Sequence, residues 1–259
     1  MSKIVICVPV FDTEANGRTE YTKATFFSLR EFVNPDTTTV VFINNNSCKA
    51  TYDFLEENCD CNGFELIHND NNVGTAEAIN IGIYELADAD DYVIKMDNDC
   101  IMFEHEWADK MRACMESDPS IGVLGLKRKD LPNYPDSGQY PTKLQFTSTE
   151  LGEPWHIIEL CDDIIGTCHM YSPKLREKVG YLYQPGSYGF DDNLMCRRSI
   201  LAGFRNAFYP SVEIDHIDTG ETEYTDWKRK YASAQWDLFE KALASYDEDI
   251  SNIYYNPFV

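Results

Sequence analysis

The chain has 259 residues, 43% of them hydrophobic, and carries 44 acidic against 22 basic side chains, for a formal net charge of −22. That length suits one large α/β domain or two small ones with a sizeable core. The charge argues against a polyanion binder, because such a surface repels nucleic acid and anionic membrane unless a basic patch or a cation intervenes. The dense basic runs, Lys127-Arg128-Lys129 and Lys228-Arg229-Lys230, read as solvated faces. Of the nine cysteines, Cys7, Cys100 and Cys168 lie in or beside apolar runs, where a reduced thiol acts as a small hydrophobe. Cys59-Asp60-Cys61 is too tightly spaced for a zinc knuckle and has no second Cys or His pair nearby. With no leader-like N-terminus and no run of membrane-spanning length, the expected location is a reducing cytoplasm, bacterial or of an infected host cell.

Residues 3–10 (KIVICVPV) form a nearly continuous β-branched run, the mark of a strand buried on both faces. A helix is predicted over 19–32, a second buried strand over 39–43, a helix over 50–57 and a short strand over 64–68. Asn72-Val73-Gly74 then opens a helix whose Val73, Ala76, Ile79, Ile83 and Leu86 keep helical spacing. It leads into a strand over 92–96. Strand and helix thus alternate three times before a fourth strand, which predicts right-handed crossovers and a doubly wound sheet.

Beyond residue 99 the pattern predicts a helix over 107–117 and a strand over 121–126. A long irregular connection follows over 129–154, rich in Pro, Gly, Tyr and Ser. Strands over 155–160 and 166–171, a helix over 173–179, a helix from Tyr188 to Gly203, and short strands over 204–209 and 212–217 complete this half. A helical tail starts at Thr222, with Tyr224, Trp227, Tyr231, Ala234 and Leu238 as its packing stripe. His156 and His169 sit in apolar strand runs and read as structural, and Trp155 as a sugar-stacking or a packing residue.

The strand over 92–96 ends on Asp97-Asn98-Asp99, where an α/β sheet presents its ligand-binding edge. Two carboxylates one residue apart are hard oxygen ligands suited to Mg²⁺ or Mn²⁺, and such an ion can bridge to nucleotide phosphates. A second acidic pair, Asp191-Asp192, opens a predicted helix, a position that the helix dipole favours for acids. Neighbouring carboxylates raise each other's proton affinity, which suits one of them to take a proton.

With these pieces placed, the chain resembles the GT-A glycosyltransferases, and most closely the inverting family 2 group. The resemblance runs over residues 3 to about 220 and rests on five features in order. They are the opening strand into Pro9-Val10-Phe11, the strand into Asn44-Asn45-Asn46-Ser47, and Asn72-Val73-Gly74-Thr75-Ala76 with Asn80. Asp97-Asn98-Asp99 follows, and then Asp191-Asp192 with Arg198, Gly203 and His216 downstream. It implies an α/β fold of GT-A (Rossmann-like) type, a mostly parallel sheet flanked by helices, with a C-terminal acceptor-side subregion and a terminal helix. Residues 1–126 would be the nucleotide-sugar half, 127–221 the acceptor and catalytic half, and 222–259 a helical tail.

The resemblance also implies site roles. Pro9, Val10, Phe11, Asn44, Asn72, Gly74, Asp97 and Asn98 would contact the nucleotide-sugar donor. Asp97, Asp99 and His216 would hold Mn²⁺ or Mg²⁺, with Asp192 the general base and Asp191 positioning the acceptor. The sequence departs from the family at Asn44, where an acid often reads uracil, and at Asp191, which is often Glu. A UDP-sugar donor and a saccharide, lipid-linked or protein acceptor are the expected partners. A modified DNA base is a disfavoured acceptor, given the charge. A nucleotidyltransferase would show a Gly-rich, Lys- or Arg-bearing loop after the first strand, and Pro9-Val10-Phe11-Asp12-Thr13 is neither. A non-catalytic sugar- or metal-binding module would be expected to lose one of the acidic motifs, and all are present.

Overall fold

A computed structural model describes residues 2–131, 139, 142–147, 155–186, 188–218, 230 and 233–259. The first half alternates β1 (Ile4–Val10), α1 (Thr19–Phe32), β2 (Thr38–Asn44), α2 (Lys49–Asn58), β3 (Glu65–His68), α3 (Thr75–Leu86) and β4 (Tyr92–Met96). The second half holds β5 (Cys100–Ile101), α4 (Trp107–Ser117), β6 (Ile121–Arg128), β7 (Lys143–Thr147), β8 (His156–Cys161) and β9 (Cys168–Tyr171). It ends with α5 (Pro173–Val179), α6 (Asp191–Leu201), β10 (Arg205–His216) and α7 (Trp236–Glu248).

All described strands join one ten-stranded sheet of order β3-β2-β1-β4-β9-β6-β10-β8-β7, with β5 paired to β10. Following the pairings, β3, β2, β1, β4, β6, β10 and β7 run one way and β9, β8 and β5 the other. The β-branched run of β1 shows why the sheet is sandwiched. Ile4, Ile6 and Val8 face one side, against Phe26, Leu29, Trp107 and Met111 of α1 and α4. Val5 and Cys7 face the other, against Ile79 and Ile83 of α3. Both faces are therefore dry, which is the condition for a continuous rather than alternating apolar strand. A Cβ added at Gly82 of α3 would come within 3.1 Å of Cys7 Sγ, so the helix lies directly on β1.

Buried Arg198 of α6 donates to the carbonyls of Ile253 (2.6 Å) and Tyr181 (2.8 Å) and to that of Val179, which fastens the C-terminal segment to α5 and α6. All nine cysteines are free thiols. His156 is buried, its Nδ1 3.0 Å from Tyr209 Oη, and the fully buried His169 bonds to the carbonyl of Ile165, so both are structural. Among the described residues no helix is long and apolar enough to cross a membrane.

Four expectations need correction. The connection over 129–154 is not wholly irregular, because β7 pairs along its length with β8; most of the remainder lies outside the described residues. The strands expected over 204–209 and 212–217 are one strand, β10, whose register shifts between Phe208 and Glu213. Pro210 sits in that irregularity, where a missing N–H costs no ladder bond. Lys127-Arg128-Lys129 is only in part a solvated face: Lys129 is exposed, but Lys127 is buried and Arg128 half-buried. Lys127 pairs with Glu159, Arg128 with Asp130, and the Lys129 ammonium sits 3.9 Å over the Phe103 ring. Lastly, Ala234 and Leu238 of the expected stripe are exposed, and α7 packs instead through Ala242 and Tyr246, with Phe239 partly buried. The earlier members of that stripe, like Lys228 and Arg229, lie outside the described residues; Trp155 is 71% exposed.

Candidate active site

Parallel β1, β2 and β4 end side by side at Val10, Asn44 and Met96, so the segments following them share one sheet edge. Asp97 leaves β4 with its N–H donating to the carbonyl of Thr167 (3.0 Å). Asp99 leads into β5, whose two residues pair antiparallel with the far end of β10, Cys100 opposite His216. That short pairing brings His216 to the acidic turn from more than a hundred residues away. One ligand atom each of Asp97, Asp99 and His216 lies within 4.8 Å of the others.

The chemistry of this trio fits a divalent cation. His216 Nδ1 lies 3.2 Å from the carbonyl of Asp218, which only accepts, so Nδ1 carries the proton. In the neutral ring the Nε2 lone pair then faces Asp99 Oδ1 at 3.3 Å. Two acceptors in contact call for a proton or a cation between them, and a backbone-bonded Nδ1–H is the arrangement that orients a metal-binding imidazole. Asp99 is itself buried and pairs through Oδ2 with the guanidinium of Arg18, which also donates to Asp218 Oδ2 at 2.7 Å.

Asn98, between the two acids, turns inward. Its Nδ2 donates to Asp12 Oδ1 (3.0 Å) and to Thr22 Oγ1 (2.7 Å). Asp12 is fully buried, and burial pushes its carboxyl above the usual range, against the pull of the Thr22 and Thr51 hydroxyls.

The second acidic pair opens α6. Asp191 is buried and accepts from Lys95 Nζ at 2.7 Å, while Asp192 stays partly exposed. Burial raises the proton affinity of Asp192; the Lys95 charge opposes this and the Asp191 charge adds to it. A Cβ on Gly166 would sit 2.5 Å from Asp192 Oδ2 and 3.1 Å from Lys95 Nζ, so a side chain at residue 166 would displace the Asp192 carboxyl. Lys95 itself is held protonated: desolvation works against its charge, but Asp191, Asp97 and Asp192 outweigh it. One ammonium therefore sits between the two acidic motifs.

Of the remaining expected contacts, Pro9 and Phe11 are partly exposed, while the Val10 side chain is core. Asn44 is buried and its amide is engaged: Oδ1 accepts from Ser47 N (2.9 Å) and Nδ2 meets His68 Nδ1 (2.9 Å). Tyr52 stacks on that imidazole at 4.5 Å. Asn72 Oδ1 accepts from Gly74 N, and the Gly74 carbonyl accepts from Asn45 Nδ2. Gly74 has φ +90, a backbone conformation that other residues adopt only with strain, so the sequence needs glycine where α3 begins. The site residues that were not anticipated are Asp12, Arg18 and Lys95. Lys95 left a signal, being the lone charge inside the apolar strand 92–96.

The profile of glycosyl transferase family 2 matches residues 5–203. This chain belongs to glycosyl transferase family 2. As a member of that family it has the GT-A fold of its solved structural neighbours. One is the mannosyltransferase PcManGT from Pyrobaculum calidifontis, in complex with GDP-Man and Mn²⁺. It is 14% identical with a TM-score of 0.67, over 93% of this chain and 64% of that one. Another is S. aureus TarS 1-349 in complex with UDP, 16% identical with a TM-score of 0.60, over 82% and 60%. GalNAc-T7 with UDP, GalNAc and Mn²⁺ is 12% identical with a TM-score of 0.63, over 83% and 44%. The chain therefore spans less than two thirds of each of those chains. No curated protein matches its sequence.

Proposed function

We propose that this chain transfers a sugar from a nucleoside diphosphate sugar, with uridine the preferred base, to an acceptor hydroxyl by metal-dependent, inverting displacement. The observation that carries this reading is the meeting of Asp97, Asp99 and His216 at the end of β4, one buried lysine away from Asp192. Asp97, Asp99 and His216 would hold Mn²⁺ or Mg²⁺, which when bound supplies positive charge to the departing diphosphate. Residues 1–126 serve the donor and 127–221 the acceptor.

Asp192 serves as the general base. The residue is partly exposed, and desolvation of its carboxyl raises the proton affinity, as suits a group that must remove a proton from a hydroxyl. Asp191, ion-paired to Lys95, fixes the start of α6 and so aims Asp192. Direct displacement by an acceptor deprotonated on one face, with the diphosphate leaving from the other, inverts the anomeric carbon. A uridine preference rests on the strand-end position of Asn44 in the family resemblance. The acceptor is a saccharide, a lipid-linked glycan or a protein, and a DNA base is disfavoured by the net charge of −22.

The test separates donor from acceptor chemistry. Asp192→Asn should keep near-normal UDP–Mn²⁺ affinity while transfer falls about 10²- to 10⁴-fold. Asp99→Asn should lose both binding and transfer, with His216→Ala between them. Full transfer in Asp192→Asn would move the base to Asp191; full activity in both acids' single variants would sink the mechanism.

A further inference from the structure

We propose that Asp12 is a positioning residue: its buried carboxylate, acting through Asn98, fixes the spacing of Asp97 and Asp99 for their cation. Asp12 lies just past β1 and is 0% exposed, and no ion pair to it is seen among the described residues. A carboxylate buried without a contacting cation survives only where donors surround it. Three do so here, from three different segments. Asn98 Nδ2 reaches Oδ1 at 3.0 Å, while Thr22 Oγ1 of α1 and Thr51 Oγ1 of α2 reach Oδ2 at 2.6 and 3.0 Å. The Asp12 backbone adds two more bonds, its N–H to Ser47 Oγ and its carbonyl from Cys48 N. The residue thus joins the segments after β1, β2 and β4 at the edge where the site is built.

An apolar residue would fill such a place at less cost in desolvation, so packing alone does not account for an acid. What the carboxylate provides is an acceptor for Asn98. Both side-chain hydrogen bonds of Asn98 end in this network, on Asp12 and on Thr22, which itself donates to Asp12. Asn98 stands between the two acidic ligands, so anchoring its amide sets the turn from which both project. Outer-shell partners of this kind typically govern about 10- to 100-fold in metal affinity.

This inference rests on the metal-site reading above, and the test keeps the two apart. Mn²⁺ binding to the whole chain with UDP present is titrated by water-proton relaxation, alongside melting temperature. Asp12→Ala is expected to weaken Mn²⁺ by about 10-fold or more. Asp12→Asn should largely restore binding, because its amide oxygen still accepts from Asn98 while its NH₂ faces two hydroxyls that can accept. Asn98→Ala should match Asp12→Ala, and the double variant should be no weaker than either single one. Should Asp12→Ala fail to fold, Thr22→Val and Asn98→Ala carry the same test, since each removes a strut and leaves the carboxylate other donors. Folded variants that bind Mn²⁺ as wild type does, or losses that simply add, overturn the role of Asp12. A wild-type chain that binds no Mn²⁺ overturns the metal reading itself, and Asp12's role with it.

Discussion

Lys95→Met offers the sharpest check on the ion pair between the two acidic motifs. Lys95 Nζ and Asp191 Oδ2 are 2.7 Å apart with side chains 4% and 6% exposed, so water screens neither charge. Removing the lysine leaves Asp191 as a buried, uncompensated carboxylate, a defect that costs about 3–5 kcal/mol. For a domain of this size each kcal/mol moves the melting temperature by about 2–4 °C, so a fall of about 6–20 °C is expected. Removing both charges in Lys95→Met/Asp191→Asn should recover most of that loss, because the penalty comes from the orphaned charge rather than from the missing attraction. Differential scanning calorimetry of the wild type, both single variants and the double variant measures the coupling directly. If Lys95→Met melted within about 2 °C of wild type, or if the two substitutions added, the buried pair would not hold α6 against β4 as described.

Two other substitutions probe the same region. Gly166→Ala places a methyl where Asp192 Oδ2 now lies, so it should cut transfer at least about tenfold while UDP–Mn²⁺ binding survives; unchanged transfer would mean Asp192 is free to move. His169, fully buried, has its pKa pushed down to about 3, by burial first and the Lys95 charge second. The unfolded chain takes up this proton below pH 6.5 and the folded chain does not, so stability is lost as pH falls from about 6.5 towards 3. Chemical denaturation should show His169→Gln gaining about 2 kcal/mol relative to wild type between pH 6.5 and 5. The difference between the two proteins is the quantity to read, because Asp12, Asp163 and Asp192, with raised pKa values, act in the opposite sense in both. Parallel pH profiles would mean that His169 titrates normally.

Local pattern made much of this fold legible. The helices over 19–32, 107–117 and 173–179 and the strand over 92–96 are found with the bounds that apolar spacing, Pro173 and the acidic turn indicate. The motif Asp97-Asn98-Asp99 was readable because an apolar run stops there. What sequence could not show is pairing at long range. Arg18 and Asp218 are 200 residues apart, and Lys95 and Asp191 are 96 apart. Nothing local in either member announces its partner. Strands β5 and β7 escaped for a related reason. Two residues carry no periodicity, and Lys143–Thr147, mostly exposed, lacks the apolar face that marks a strand. Pro210 interrupted β10 on paper because sequence does not reveal where a bulge will absorb it.

The β4 turn and His216 are proposed to form a cation-dependent nucleoside diphosphate site. Isothermal titration of UDP into the full chain, with Mn²⁺ and then with excess EDTA, tests it most directly, with GDP as the competitor. The site described here predicts UDP binding with Mn²⁺, loss of that binding in chelator, and weaker binding of GDP. UDP binding of equal strength in EDTA would contradict the role given to Asp97, Asp99 and His216, and tighter GDP binding would contradict the one given to Asn44.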